Sequence, residues 1–201
     1  VLREPAVRNG HFLWRPDDSF AGLRVVHSGC IMIFRMPPSG EEQVLQFALP
    51  GDLIGLEAFA TGRHAHYAQA LGETLCCRLR WPNGAAATDH PALSRRLLKR
   101  ASQLLAQSHL QARSNDPIVA VLDFLRELSP RLGREVAVAG QRRVQMRLPM
   151  SRLDIGRYLG FAEETVCRAI RRLQNQGFIE ARGRQVNLLE AALQLPVARF
   201  N

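Results

Sequence analysis

The stretch Met150–Leu189, MSRLDIGRYLGFAEETVCRAIRRLQNQGFIEARGRQVNLL, decides how the chain is read. Ser151, followed by Asp154, resembles a capping box, in which hydroxyl and carboxylate each take a backbone N–H left open at a helix start. Ile155 and Leu159 share one face of that helix and Gly160 breaks it, so a short helix ends at a tight turn. The spacing predicts a second helix from about Glu163 to Gln176. Val166, Ile170 and Leu173 point inward at i, i+4 and i+7, while Glu164, Cys167, Arg168 and Arg171 share the outward side. Gly177 can close this helix, and FIEARGRQVNLL reads as two short strands around a turn at Gly183.

Two helices joined by a turn of about three or four residues, the second bearing an acid and arginines, followed by a hairpin, match a winged helix-turn-helix that lays its second helix in the major groove. Upstream, Asp116 is placed to cap a helix and Pro117 suits its first position, where no N–H is needed. Ile118, Val121, Leu122, Leu125 and Leu128 then follow at helical spacing. A DNA-binding domain spanning 116–201 is expected. Charge agrees: from Gln141 onward there are eleven arginines against five acidic residues, which holds most of the net charge of +9. Clustered cations gain free energy by releasing counterions from a polyanion. A membrane surface would suit the total charge as well, and an arginine-rich usage contributes to it. Lys99 is the one lysine; arginine grips phosphate or guanine through two parallel bonds.

Working further outward, residues 1–90 carry short apolar runs broken by turn residues: LRVVHSG, CIMIF, PPSGEE, VLQFALPGD, LIGLEAF and AQALGETLCCRLRW. Such runs argue for an antiparallel β jelly-roll. Gly29, Gly40, Gly51 and Gly62 recur at a spacing that suits hairpin turns with positive φ. After WPNGAAATDHP comes LSRRLLKRASQLLAQSHLQARS, an amphipathic helix within 91–115. Leu97, Ala101, Leu104 and Leu105 form its apolar face, opposite Arg95, Arg96, Arg100, Gln103 and Gln107. This stripe either docks on its own β-domain or pairs with a second chain, and the two-fold symmetry of DNA recognition favours a homodimer. The expected fold class is α+β: an N-terminal jelly-roll, a long dimerisation helix and a C-terminal winged helix-turn-helix.

No apolar run approaches the ~20 residues of a membrane-spanning helix, and VLREPAVRNG lacks a signal peptide's apolar stretch. A cytoplasmic protein without membrane contact is expected, and an opening Val1 suggests the remainder of a longer chain. Cys30, Cys76, Cys77 and Cys167 form no CxxC pair and no zinc spacing with the histidines, so core thiols are the expectation. Nucleophile elbow, phosphate loop and HExxH are all missing, which argues against an enzyme.

In its detail, DIGRYLGFAEETVCRAIRRLQNQGFIEARGR resembles the Crp/Fnr superfamily of transcription regulators. The likeness extends to HSGCIMIFRMPPSGEEQVLQFALPGDLIGLEAF and YAQALGETLCC, similar to that family's cyclic-nucleotide-binding-like β-roll, and to LSRRLLKRASQLL, in the place of its dimerisation helix. The resemblance implies that Glu164 and Arg168 read bases of a TGA-containing half-site in double-stranded DNA. Cys167 stands between them where the family carries Ser or Gly. Ser151, Arg152 and Arg184 match backbone contacts, and Arg171 joins them from the outward face. Ala162 lacks the hydroxyl usual at the second helix's N-cap.

The resemblance further implies a regulator that recruits or blocks RNA polymerase, with activation the expected role. A Crp-type cAMP site would need Glu and an Arg-Ser or Arg-Thr pair where Leu56 and His66-Tyr67 stand, so cAMP binding is not expected. The segment looks more like the oxygen-sensing Fnr branch. There Cys77 occupies the place of an internal iron–sulfur ligand, with three further ligands expected before Val1. A haem bound through His64 or His66 is a weaker alternative, since histidines in a polar loop are usually solvated.

Overall fold

The apolar runs of the N-terminal half fold into antiparallel strands punctuated by the expected glycines. The computed structural model describes residues 2–38, 40–79, 114–138 and 141–194, with Arg95, Leu98, Lys99, Ala101 and Ser102 as isolated helical positions. The chain divides into two units, Val1–Ala112 and Arg113–Asn201.

In the first unit β1 (Leu2–Arg3), β8 (Leu75–Arg78), β3 (Arg24–Ser28) and β6 (Leu53–Ile54) form one four-stranded sheet. A second runs β2 (Phe12–Trp14), β7 (Tyr67–Ala70), β4 (Ile31–Arg35) and β5 (Gln43–Ala48). Trp14, Val26, Ile31, Ile33, Ala48, Ile54, Ala68, Ala70 and Cys76 make the core. Turn glycines 29, 40, 51 and 62 have φ of 84°, 80°, 91° and 72°, the left-handed region that L side chains avoid. Period-2 alternation alone would put Phe12 and Trp14 on one face. A register shift between them pairs Phe12 with Gln69 and Trp14 with Ala68. Trp14 thereby joins the core, while Phe12 packs beside Phe34 and Tyr67, whose rings stack at 5.0 Å.

Cys76 faces this core and Cys77 is only half-buried, as adjacent strand positions require. Burial pushes the Cys76 thiol up to about 11, so it stays protonated at neutral pH. Of the expected dimerisation stripe, Leu97, Leu104 and Leu105 lie outside the described residues; Ala101 is helical and half-buried, with Leu98 and Lys99 exposed beside it. No helix among the described residues is long and apolar enough to cross a membrane.

The second unit opens with α1 (Pro117–Leu132), whose N-cap Asp116 accepts the Ile118 N–H at 2.8 Å. Pro130 cannot donate to the Arg126 carbonyl, and the Ser129 hydroxyl takes that acceptor instead at 2.9 Å. Next come β9 (Gly133–Val138) and β10 (Gln141–Arg147), then α2 (Arg152–Leu159), α3 (Glu163–Asn175), β11 (Ile179–Arg182), β12 (Gln185–Leu189) and α4 (Glu190–Gln194). The sheet order is β11-β12-β10-β9, so the expected two-stranded wing is half of a four-stranded antiparallel sheet. Val144, Met146, Ile179, Val186 and Leu188 are buried with Val121, Leu125, Ile155, Val166 and Leu173 of the helices.

Candidate nucleic-acid interface

Helix α2 begins with a complete capping box. Ser151 Oγ accepts the Asp154 N–H at 3.1 Å, and the Asp154 carboxylate accepts the Ser151 N–H at 2.8 Å and its hydroxyl at 2.7 Å. The helix ends at Gly160, with φ of 81°. The turn is tight because the Gly160 and Phe161 N–H groups both donate to the Gly156 carbonyl, at 2.7 and 2.9 Å. A Cβ on Gly156 would overlap the Phe161 carbonyl, so only glycine allows that close approach.

Helix α3 buries Val166, Ala169, Ile170 and Leu173, which anchor it from behind. Its exposed side carries Glu164, Arg168 and Arg171, with Cys167 half-buried between the first two. Among the described residues, Glu164 and Arg171 have no hydrogen-bond or ion-pair partner in the protein. Arg168 donates only a long bond of 3.3 Å to Thr165 Oγ1. Thr165 had no role in the sequence reading, although three-residue spacing on a helix is the signal for such a pair. The N-cap, Ala162, makes no side-chain cap bond, as its missing hydroxyl requires.

Ser151, Arg152 and Arg184 sit differently. Ser151 is occupied in the capping box. Arg152, half-buried, donates to the Gly183 carbonyl at 2.8 Å, and Arg184 donates to the Pro149 carbonyl at 2.8 Å. Burial lowers the Arg152 pKa from its ordinary value, and nearby Cys167 acts the other way. Arginine is so strong a base that the guanidinium remains charged. These arginines gather where the wing turn meets the start of α2.

The β9–β10 pair is absent from the sequence reading. Its signal is the alternation of Val144, Met146 and Leu148 with Arg143, Gln145 and Arg147. On the sheet face carrying Arg143, its guanidinium bonds Glu180 at 2.9 Å, and Glu180 accepts from Asn187 at 3.1 Å, linking β10, β11 and β12.

In the first unit, the loop from Gly55 to His66 overturns one sequence expectation. His64 is not a solvated loop residue but is 2% exposed. Its ring stacks on Trp14 at 4.1 Å between centroids, Phe20 meets its edge, and Nδ1 donates to Glu57 at 2.9 Å. Arg63 donates to the Asp17 carbonyl at 2.6 Å. The two charged residues nearest the positions of a cyclic-nucleotide site, Glu57 and Arg63, are thus both engaged within the protein. Cys77 lies in β8, paired with Arg3 and Val25. Among the described residues no three potential metal ligands gather, so these residues alone do not fit an iron–sulfur cluster.

Comparison with known proteins agrees with this architecture in both halves. Residues 5–83 match the cyclic nucleotide-binding domain family, and residues 120–193 match the Crp-like helix-turn-helix domain family. The chain is 35% identical over 196 residues to the transcriptional activator protein Anr of Pseudomonas protegens, covering 94% of this chain and 78% of that protein. It is 27% identical to the fumarate nitrate reduction regulatory protein of Klebsiella oxytoca, over 98% of this chain and 79% of that one. The solved structure of FixK2 from Bradyrhizobium japonicum superposes with a TM-score of 0.77 at 31% identity, covering 94% of this chain and 93% of that one. A double-sheet β fold followed by a winged helix-turn-helix, matched along nearly its whole length by such regulators, places this chain in the Crp/Fnr family of DNA-binding transcription regulators.

Proposed function

We propose that this regulator binds a TGA-containing palindrome as a homodimer, with Glu164 and Arg168 reading base edges and Cys167 lying over the base step between them. The observation that carries this reading is the exposed side of α3, where Glu164 and Arg171 have no partner among the described residues and Arg168 holds only a long bond. Arginine matches guanine O6 and N7 in the major groove, and a glutamate accepts from cytosine N4. Ser151, Arg152, Arg171 and Arg184 supply the backbone contacts that set register. Two-fold operators call for two recognition helices about 34 Å apart, which a dimer through the segment bearing Leu97, Ala101, Leu104 and Leu105 would provide.

The regulator activates transcription with RNA polymerase as its partner; the activator names of the Pseudomonas relatives support this. Its effector is oxygen or redox state rather than cAMP. In support, two further relatives are named anaerobic regulatory proteins, and the Glu57 carboxylate is bonded to His64. Cys77 serves a cluster only with ligands from outside the described residues.

Fluorescence anisotropy against a TGA-containing palindrome and a scrambled duplex tests the reading. Arg168→Ala is expected to weaken specific binding by about five- to 150-fold, the ~1–3 kcal/mol of a bidentate guanine contact, with little change on the scrambled duplex. Equal affinity of wild type for both duplexes would overturn it.

A further inference from the structure

The wing is a short hairpin, β11 with four residues and β12 with five. Arg182 pairs with Gln185, leaving Gly183 and Arg184 as a two-residue turn. Gly183 has φ of 57°, a positive value suited to the first position of a tight hairpin turn. Residues 182–185 are all exposed, so the tip has no apolar side chain packing it down. Strand β12 is paired with β10 as far as Gln185, opposite Arg147, so the two turn residues lie just beyond the sheet.

Three hydrogen bonds, each 2.8 Å, join that tip to the segment entering α2. The Leu148 N–H donates to the Arg184 carbonyl, Arg152 donates to the Gly183 carbonyl, and Arg184 donates to the Pro149 carbonyl. The two side-chain bonds cross, since each arginine reaches the backbone of the other's segment. Leu148 and Met150 are each 1% exposed, so one end of the junction is fixed in the core.

We propose that Arg152 and Arg184 are positioning residues, a crossed clamp that fixes the wing turn against the start of α2 before DNA arrives. A guanidinium has five donors, so each arginine can hold its carbonyl and still offer N–H groups to a phosphate. The wing then meets the duplex pre-positioned, and its ordering entropy is not lost on binding. Only this consequence for DNA rests on the function proposed above; the clamp belongs to the free protein.

Hydrogen exchange of the Leu148 amide in the full chain without DNA tests the clamp. R152A and R184A are each expected to speed exchange by about fivefold, the worth of one hydrogen bond, with a combined effect smaller than the product of the two. R152M keeps the aliphatic stem and loses the donors, so it is expected to match R152A. Wild-type exchange in both R152A and R184A would overturn the clamp, as would rescue by R152M, which would assign the effect to packing. Anisotropy with the palindrome, run in parallel, reports on the DNA reading separately: failure of wild type to bind leaves the exchange result standing.

Discussion

On α3 of the C-terminal unit the outward side chains Glu164 and Arg171 point away from their scaffold, whereas in the N-terminal unit His64 and Glu57 turn towards each other. Glu164 and Arg171 are exposed and unengaged among the described residues; His64 is 2% exposed, stacked on Trp14 and bonded to Glu57. A surface that reads a long polymer needs free donors and acceptors, with the anchoring confined to the opposite helix face. His64 is buried with its partner Glu57 because a buried polar group without a partner is costly. The two units carry one family's architecture, yet the outward face of α3 leaves Glu164 and Arg171 open while His64 and Glu57 satisfy each other.

The strongest way to break this contrast is Trp14→Ala. Removing the indole that holds His64 is expected to cost about 3–5 kcal/mol, the usual range for a buried aromatic. Denaturation followed by probes placed in each unit should show the loss in the first unit only. An equal loss in both would mean that the loop packing also supports the DNA-binding unit.

A smaller effect sharpens the contrast within α3. Arg171→Ala should weaken binding to the palindrome and the scrambled duplex alike, and should reduce the slope of log affinity against log salt by about one. A selective loss on the palindrome would move Arg171 from backbone contact to base reading. The smallest effect concerns the helix start that lacks a cap bond. Ala162→Ser is expected to stabilise the C-terminal unit by about 0.5–1 kcal/mol, read as a rise in its thermal midpoint, because the hydroxyl would take an open N–H of the first turn. No rise would show that those N–H groups are already satisfied in the folded protein.

Much of the DNA-binding unit was legible because its signals are local. The capping box, the break at Gly160 and the inward set Val166, Ile170 and Leu173 each lie within a few residues, and helix periodicity turns spacing directly into faces. The β9–β10 pair escaped because β10 gains its place by pairing with β12, far along the chain: Val144 lies opposite Leu188 and Met146 opposite Val186. Its arginines read as charge, and the alternation between them was masked. His64 was misread for a related reason. Nothing beside it in the sequence reveals Trp14, fifty positions earlier, and Trp14 reaches the core only through the register shift after Phe12.

By itself the sequence determined the helices of the helix-turn-helix, the left-handed turns at its glycines, and which side of α3 faces outward, since these follow from local sterics and period. Tertiary structure decided which charged residues are already bonded within the protein. Arg152 and Arg184 look in sequence like free cations beside Arg168 and Arg171, yet only folding brings the Gly183 and Pro149 carbonyls within their reach. Whether a guanidinium is held by its own protein depends on distances between segments more than thirty residues apart, and local spacing carries no information about those.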